Sequence, residues 1–237
     1  MKNFLSQLHA DLRSSLKTRR GATHHPDNVP RGTHKVYSRM PQIPLPEPET
    51  LSTTLEESLT NRASGISGNP EIALSLQEIG TLLGHGLRKR RDRESRNYPS
   101  GGALYPVETY LISMTLESES PAVFHYNPTT HTLERLVTLP ENFNLKTIAP
   151  HPVSLSLSSL VIFTSVWHRS SAKYGDLAYL HALIEAGHMS ENILLLATAL
   201  NIQARPYAGF KDEAIIELLD LDSDEEQPLH TVTLCKP

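Results

Sequence analysis

The chain holds a single cysteine, Cys235, in 237 residues. That excludes an internal disulfide framework and any clustered-cysteine metal site, and it is compatible with a reducing cytoplasm. Long apolar runs are missing as well. The stretches at Leu160 and Ile193 fall far short of the about twenty residues that span a bilayer. From Met1 to Arg13 the apolar positions are broken by polar residues every few places, so the continuous core of a secretory signal is lacking. A soluble cytoplasmic protein with no membrane partner is the expectation. Positive charge is not in excess either: 22 Lys and Arg stand against 26 Asp and Glu, for a net charge of −4, which argues against nucleic acid as a partner. The basic run Arg88 to Arg96 lacks interleaved aromatics. It reads as a solvated loop, or alternatively as a docking surface for an acidic peptide or a phosphate.

What the chain does have is centred on Arg96 to Ile112, a glycine-containing loop that passes directly into a strand-like apolar run. Ser100, Gly101 and Gly102 set two residues without a Cβ beside a hydroxyl, which lets backbone amides approach a flat or anionic ligand. Pro99 and Pro106 restrict the loop at both ends. On composition alone, a tight connection into a buried strand remains equally open.

Around this loop the pattern is that of an α+β chain. Leu5, Leu8, Leu12 and Leu16 form an apolar stripe on a helix ending near Gly21, packed on its own domain or docked on a partner subunit. Arg19 to Arg31 reads as a loop whose paired His24 and His25 lack metal-ligand spacing, so no metal is expected. Pro41, Pro44, Pro46 and Pro48 make an extended surface arm, and residues 1–50 are set apart as helix and arm from a domain over 51–237. Leu55 to Arg62 looks helical. Ser75 to Glu78 is a capping box that opens a helix through Leu83. Val107 to Ser113 is a strand, Val123 to Tyr126 pairs with Thr132 to Leu136 as a hairpin, and Leu160 to Ser165 is a strand buried on both faces. Asp176 to Leu200 is expected to be a long buried central helix on which His188 and Asn192 share a face. A short helix from Glu213 to Leu219 and a strand from Thr231 to Leu234 close the chain.

Pro99-Ser-Gly-Gly-Ala-Leu-Tyr-Pro-Val-Glu108 resembles the signature loop of SagB-type (ThcOx-like) dehydrogenases, a branch of the FMN-dependent nitroreductase superfamily. Lys173-Tyr174-Gly175, Glu185 to Asn192, Pro206 to Phe210 and Thr33 to Tyr37 with Ile43 to Pro46 are similar to further segments of that family, in the same order. The resemblance implies a nitroreductase-like fold: a mixed, mainly antiparallel sheet flanked by helices around a long buried helix, in a homodimer. It also implies FMN. Arg62 and Ser64 match the element that grips its phosphate, although the second arginine expected there is replaced by Gly65 and Ile66. Pro99, Ser100, Gly101, Gly102 and Asn192 fall in its cradle, Ala208 and Gly209 where amides meet flavin N5, and Lys236 where a further phosphate contact stands.

Family members oxidise azoline rings in peptides to azoles, and the resemblance assigns the catalytic roles to Lys173 and Tyr174. A free tyrosine, with a pKa of about 10, is a poor base unless a cation stabilises its phenolate. Under the resemblance, Lys173 would supply that charge or hydrogen-bond the substrate itself. Leu177 and Leu180 replace two arginines of the family, which leaves Arg169 as a candidate contact for an anionic group. The expected substrate is a peptide or small natural-product precursor, with biosynthetic-complex subunits as possible partners. The alternatives are an NAD(P)H-dependent nitro- or quinone reductase, or a cofactor-free scaffold subunit of a biosynthetic complex.

Overall fold

The computed structural model describes residues 4–19, 32–65, 67–150 and 157–237. Helix α1 (Phe4–Arg19) precedes strand β1 (Gln42–Pro44) and helices α2 (Leu55–Asn61) and α3 (Leu76–Leu87). Strands β2 (Val107–Ser113), β3 (Ala122–Asn127), β4 (Thr132–Thr138) and β5 (Ser159–Val166) follow. Then come α4 (His168–Tyr174), α5 (Leu177–Ala199), β6 (Gln203–Tyr207), α6 (Asp212–Leu219) and β7 (Glu226–Cys235). The loop expected to carry His24 and His25, and the helix end expected near Gly21, lie outside the described residues.

Seven strands form one sheet in the order β1-β4-β3-β2-β5-β7-β6. Every pairing between these strands is antiparallel, and the expected mixed character is confined to an isolated parallel bridge between Leu74 and Leu116. Both edge strands carry a proline, Pro44 in β1 and Pro206 in β6. A proline lacks the N–H that would offer the sheet a further partner, so it suits an edge.

Alternation along the strands divides the core in two. Val107, Leu111, Val161 and Phe163 pack with α3 and α5, whereas Tyr110, Ile112, Leu160 and Ile162 pack with α6. The double burial expected for the Leu160 run is therefore observed, and it extends to β2. The capping box is present: the Ser75 hydroxyl accepts from Glu78 N at 3.1 Å, and the Glu78 carboxylate accepts from Ser75 N at 2.9 Å. The helix it opens runs on to Leu87. The proline arm is not a free spacer, because β1 pairs with β4 and Leu45 is buried.

Ahead of β1, residues 33–37 form a strap across the face of β2 that bears Glu108 and Tyr110. Lys35 N donates to Glu108 at 2.7 Å and Tyr37 N to Glu134 at 3.1 Å. Between those carboxylates lies His125, 2.7 Å from Glu134 and 2.9 Å from Glu108. Glu226 receives the Lys35 ammonium, the Tyr110 hydroxyl at 3.0 Å and the Thr164 hydroxyl at 2.5 Å.

Two expectations need correcting. The long helix α5 is buried along only one side, for Tyr179, Leu183 and Ile184 are exposed and so is His188. Arg96 does not share the solvated character of the basic run that it ends. It is buried, donating to the Tyr98 hydroxyl at 2.8 Å and to Thr33 O at 3.0 Å.

Candidate functional site

The loop after Arg96 turns sharply because three positions within four residues adopt left-handed backbone. Gly102 (φ +66°), Ala103 (φ +55°) and Tyr105 (φ +50°) all lie there, a conformation that costs non-glycine residues energy and needs outside support. Support comes from both ends. The Tyr105 hydroxyl accepts from Arg96 N at 3.0 Å, with the Arg96 guanidinium 4.7 Å from the ring centroid. Tyr105 N donates to the Ser100 hydroxyl at 2.9 Å, and that hydroxyl is also hydrogen-bonded to the Glu185 carboxyl of α5.

The turn brings the catalytic candidates together. A Cβ on Gly102 would stand 2.7 Å from the Tyr174 hydroxyl and 2.8 Å from Lys173 Nζ, so both side chains close over bare backbone. Lys173 Nζ is 5.2 Å from the Tyr174 ring centroid. His181 meets that ring edge-on, with centroids 4.5 Å apart, and its Nδ1 would be 3.2 Å from a Cβ on Gly101. Burial, joined by the Arg13 charge, holds His181 below the usual imidazole range. The short helix α4 ends on this pair, and the Gly175 amide caps it on Ser171 O. Beside it lies an open cavity of about 510 Å³, walled partly by Trp167, His168, Asp176 and Tyr179.

Glu185 and His181 were not legible as site residues. Glu185 is buried and its Oε1 has no hydrogen-bond partner among the described residues, nor has His181 Nδ1. Burial, only partly offset by the Ser100 bond and the Arg96 charge, pushes the Glu185 carboxyl up to about 7. The available signal was polarity inside an otherwise apolar helix at i, i+4 spacing.

The remaining candidates spread outward. Asn192 donates to Gly86 O at 3.0 Å and Asn97 O at 3.2 Å, tying α5 to the entry of the turn. Pro99 is exposed, as is Ser64. Arg62 caps α2 and is only loosely paired with Glu191, at 4.0 Å, which leaves its fork available to an anion. Lys236 is ion-paired with Glu78. Ala208 and Gly209 occupy an exposed turn after β6. Arg169, expected as an anion contact, is buried and committed instead to Glu108 at 2.5 Å and Tyr105 O at 3.3 Å. The Cβ-free turn, the available Arg62 and the unpartnered polar atoms beneath the turn fit a planar, phosphate-bearing cofactor.

A seven-stranded antiparallel sheet with a long helix against it thus frames a glycine turn that faces a Lys-Tyr pair. The chain belongs to the Nitroreductase family, whose profile matches residues 46–235. Microcin B17-processing protein McbC of Escherichia coli is 27% identical over 193 residues, covering 76% of this chain and 68% of McbC. Among solved structures, one from Anabaena variabilis described as a candidate nitroreductase superposes with a TM-score of 0.74 at 22% identity. That match covers 84% of this chain and 42% of the other. The E. coli microcin synthetase McbBCD complex with truncated pro-MccB17 bound superposes with a TM-score of 0.69 at 20% identity, over 100% of this chain and 98% of the matched one.

Proposed function

We propose that this nitroreductase-family oxidoreductase is an FMN-dependent dehydrogenase of the SagB type that oxidises azoline rings in a peptide or natural-product precursor. The observation that carries the reading is the convergence of Lys173 and Tyr174 over Gly102. The similarity to McbC, a processing protein of microcin B17, supports the substrate class. Arg62 and Ser64 would hold the FMN phosphate, helped by Lys236 once it leaves Glu78. Pro99, Ser100, Gly101, Gly102 and Asn192 would shape the ring's bed, and the amides of Ala208 and Gly209 would face N5.

Bound FMN supplies the two-electron acceptor for a hydride. The azoline loses a proton from Cα and a hydride from Cβ, and a Cα=Cβ double bond forms. Tyr174 takes the proton as its phenolate, and the neighbouring Lys173 ammonium favours that anion electrostatically.

The proposed homodimer is supported by apolar side chains left uncovered, Tyr179, Leu183 and Ile184 on α5 with Phe4, Leu5 and Leu8 on α1, a pattern that marks interaction surfaces. Cytoplasmic residence in contact with biosynthetic-complex subunits completes the reading. No helix among the described residues is long and apolar enough to cross a membrane.

The test is the visible absorption spectrum of the purified protein with identification of the flavin released on denaturation, followed by turnover of an azoline peptide. Release of FMN with azole formation is expected. Bleaching of the flavin by NADH or NADPH without azole formation would move the assignment to a nitro- or quinone reductase. A protein that stays colourless in excess FMN would defeat both. Light scattering should give twice the chain mass.

A further inference from the structure

We infer that Glu185 is a positioning residue for the site: through the Ser100 hydroxyl it holds the Ser100–Tyr105 turn in the shape that Lys173 and Tyr174 face. This deepens the reading of that turn as a flavin bed and rests on it for function, though its geometry stands without it.

The turn contains left-handed residues at 102, 103 and 105, so it will relax unless its ends are tied. Arg96 ties the Tyr105 side chain. The Tyr105 carbonyl accepts from Arg169 at 3.3 Å, while its amide is tied through Ser100, whose hydroxyl accepts it and is in turn gripped by Glu185. Glu185 projects from α5 and is buried. A buried carboxyl with one oxygen bonded and the other without a partner among the described residues is better suited to the neutral acid than to the anion, since an unpaired buried charge is costly. The groups facing it are the Ser100 hydroxyl, the Val107 amide, and the Arg96 and Arg169 guanidinia, with the Tyr98 phenol close enough to sense its charge. Both guanidinia already have other partners, Arg96 with Tyr98 and Arg169 with Glu108. His181, one turn earlier on the same helix, lies against Gly101 and the Tyr174 ring. One face of α5 thus fixes both the turn and the catalytic tyrosine.

Hydrogen-exchange mass spectrometry of the full-length, flavin-free protein, on peptides covering residues 98–106 between pH 5.5 and 8.5, tests this directly. Wild type should lose protection, beyond the intrinsic pH effect on exchange, as pH rises through neutrality. Glu185→Gln keeps a neutral hydrogen-bonding group, and its protection should remain but no longer depend on pH. Glu185→Ala and Ser100→Ala should each raise exchange about tenfold, with no further increase when combined. A merely space-filling Glu185 would leave the wild-type profile flat and make Gln no better than Ala, and that result overturns the inference. If Glu185→Ala does not fold, the Gln profile and Ser100→Ala decide alone. FMN affinity, from quenching of flavin fluorescence, is measured alongside. Absence of FMN binding in wild type with the exchange pattern intact would remove the flavin reading and leave the positioning role standing.

Discussion

Two buried polar clusters lie within this fold, and they differ in how completely they are satisfied. Beneath the strap, Glu108, His125, Glu134, Glu226 and Lys35 meet one another, two backbone amides and two hydroxyls. Beneath the glycine turn, Glu185 and His181 keep unpartnered atoms, and Lys173 and Tyr174 crowd bare backbone. A closed network of charges holds chain segments together. An open one, buried at a cost in desolvation, retains capacity for something else to bind. The first is therefore read as a clasp and the second as a site, although both contain a carboxylate hydrogen-bonded within the core.

The largest effect that would sharpen this contrast is expected at the clasp. His125→Ala leaves Glu108 and Glu134 facing each other without their shared partner and should cost about 3–5 kcal/mol. A denaturant titration reads that cost. A loss below about 1 kcal/mol would show that the clasp is not closed. Tyr174→Phe should instead leave stability and flavin content unchanged while lowering turnover by about 10²–10⁴-fold, and a fully active variant removes the tyrosine from the proton step.

The pH dependence should separate the two clusters. Burial alone would raise Glu108, but the His125 hydrogen bond and the charges of His125, Arg169 and Arg96 outweigh it and bring the carboxyl down to about 2. Its contribution is present above the unfolded carboxylate value and is lost as pH falls toward 2. Glu185, at about 7, behaves oppositely: its contribution is complete below about pH 4.5 and is lost as pH rises through 7. His125 also opposes the high-pH side. Burial works against its charge, yet its bonds to Glu108 and Glu134 raise it above the usual imidazole value, so its contribution fades only above that. Stability of the Glu185→Gln variant should accordingly fall less than wild type between pH 5 and 7, and a wild-type profile flat in that window would contradict the raised acid. The smallest expected effect is that of Gly102→Ala, about 1–2 kcal/mol. Its positive φ and the nearness of the Tyr174 hydroxyl and Lys173 ammonium should nonetheless displace the pair, visible as a loss of turnover out of proportion to the drop in melting temperature.

Much of the fold was readable from local pattern. The Leu160 run and the Ser75–Glu78 capping box announced elements that depend on neighbours in sequence. The hairpin was equally plain, because Asn127 accepts from Thr129 N and Thr130 N and turns the chain itself. What escaped depended on distant partners. Strands β1 and β6 were hidden by the prolines that make them edges. Helix α4 has no side-chain cap to announce it. Glu108, His125 and Glu134 look like the solvent-facing half of a strand until the strap arrives to cover them. Of the site, the turn and the Lys-Tyr pair were recognised by resemblance, whereas Glu185 acquires meaning only once Ser100 is folded against it.

The solitary Cys235 now offers a use. It is buried near the end of β7, where a Cβ on Gly68 would lie 2.7 Å from its Sγ, and burial raises its thiol above the ordinary value. A thiol-specific dye can therefore react only after this corner opens, and no second sulfhydryl in the chain confuses the count. The rate of dye uptake becomes a one-residue clock for the opening of the sheet's C-terminal strand.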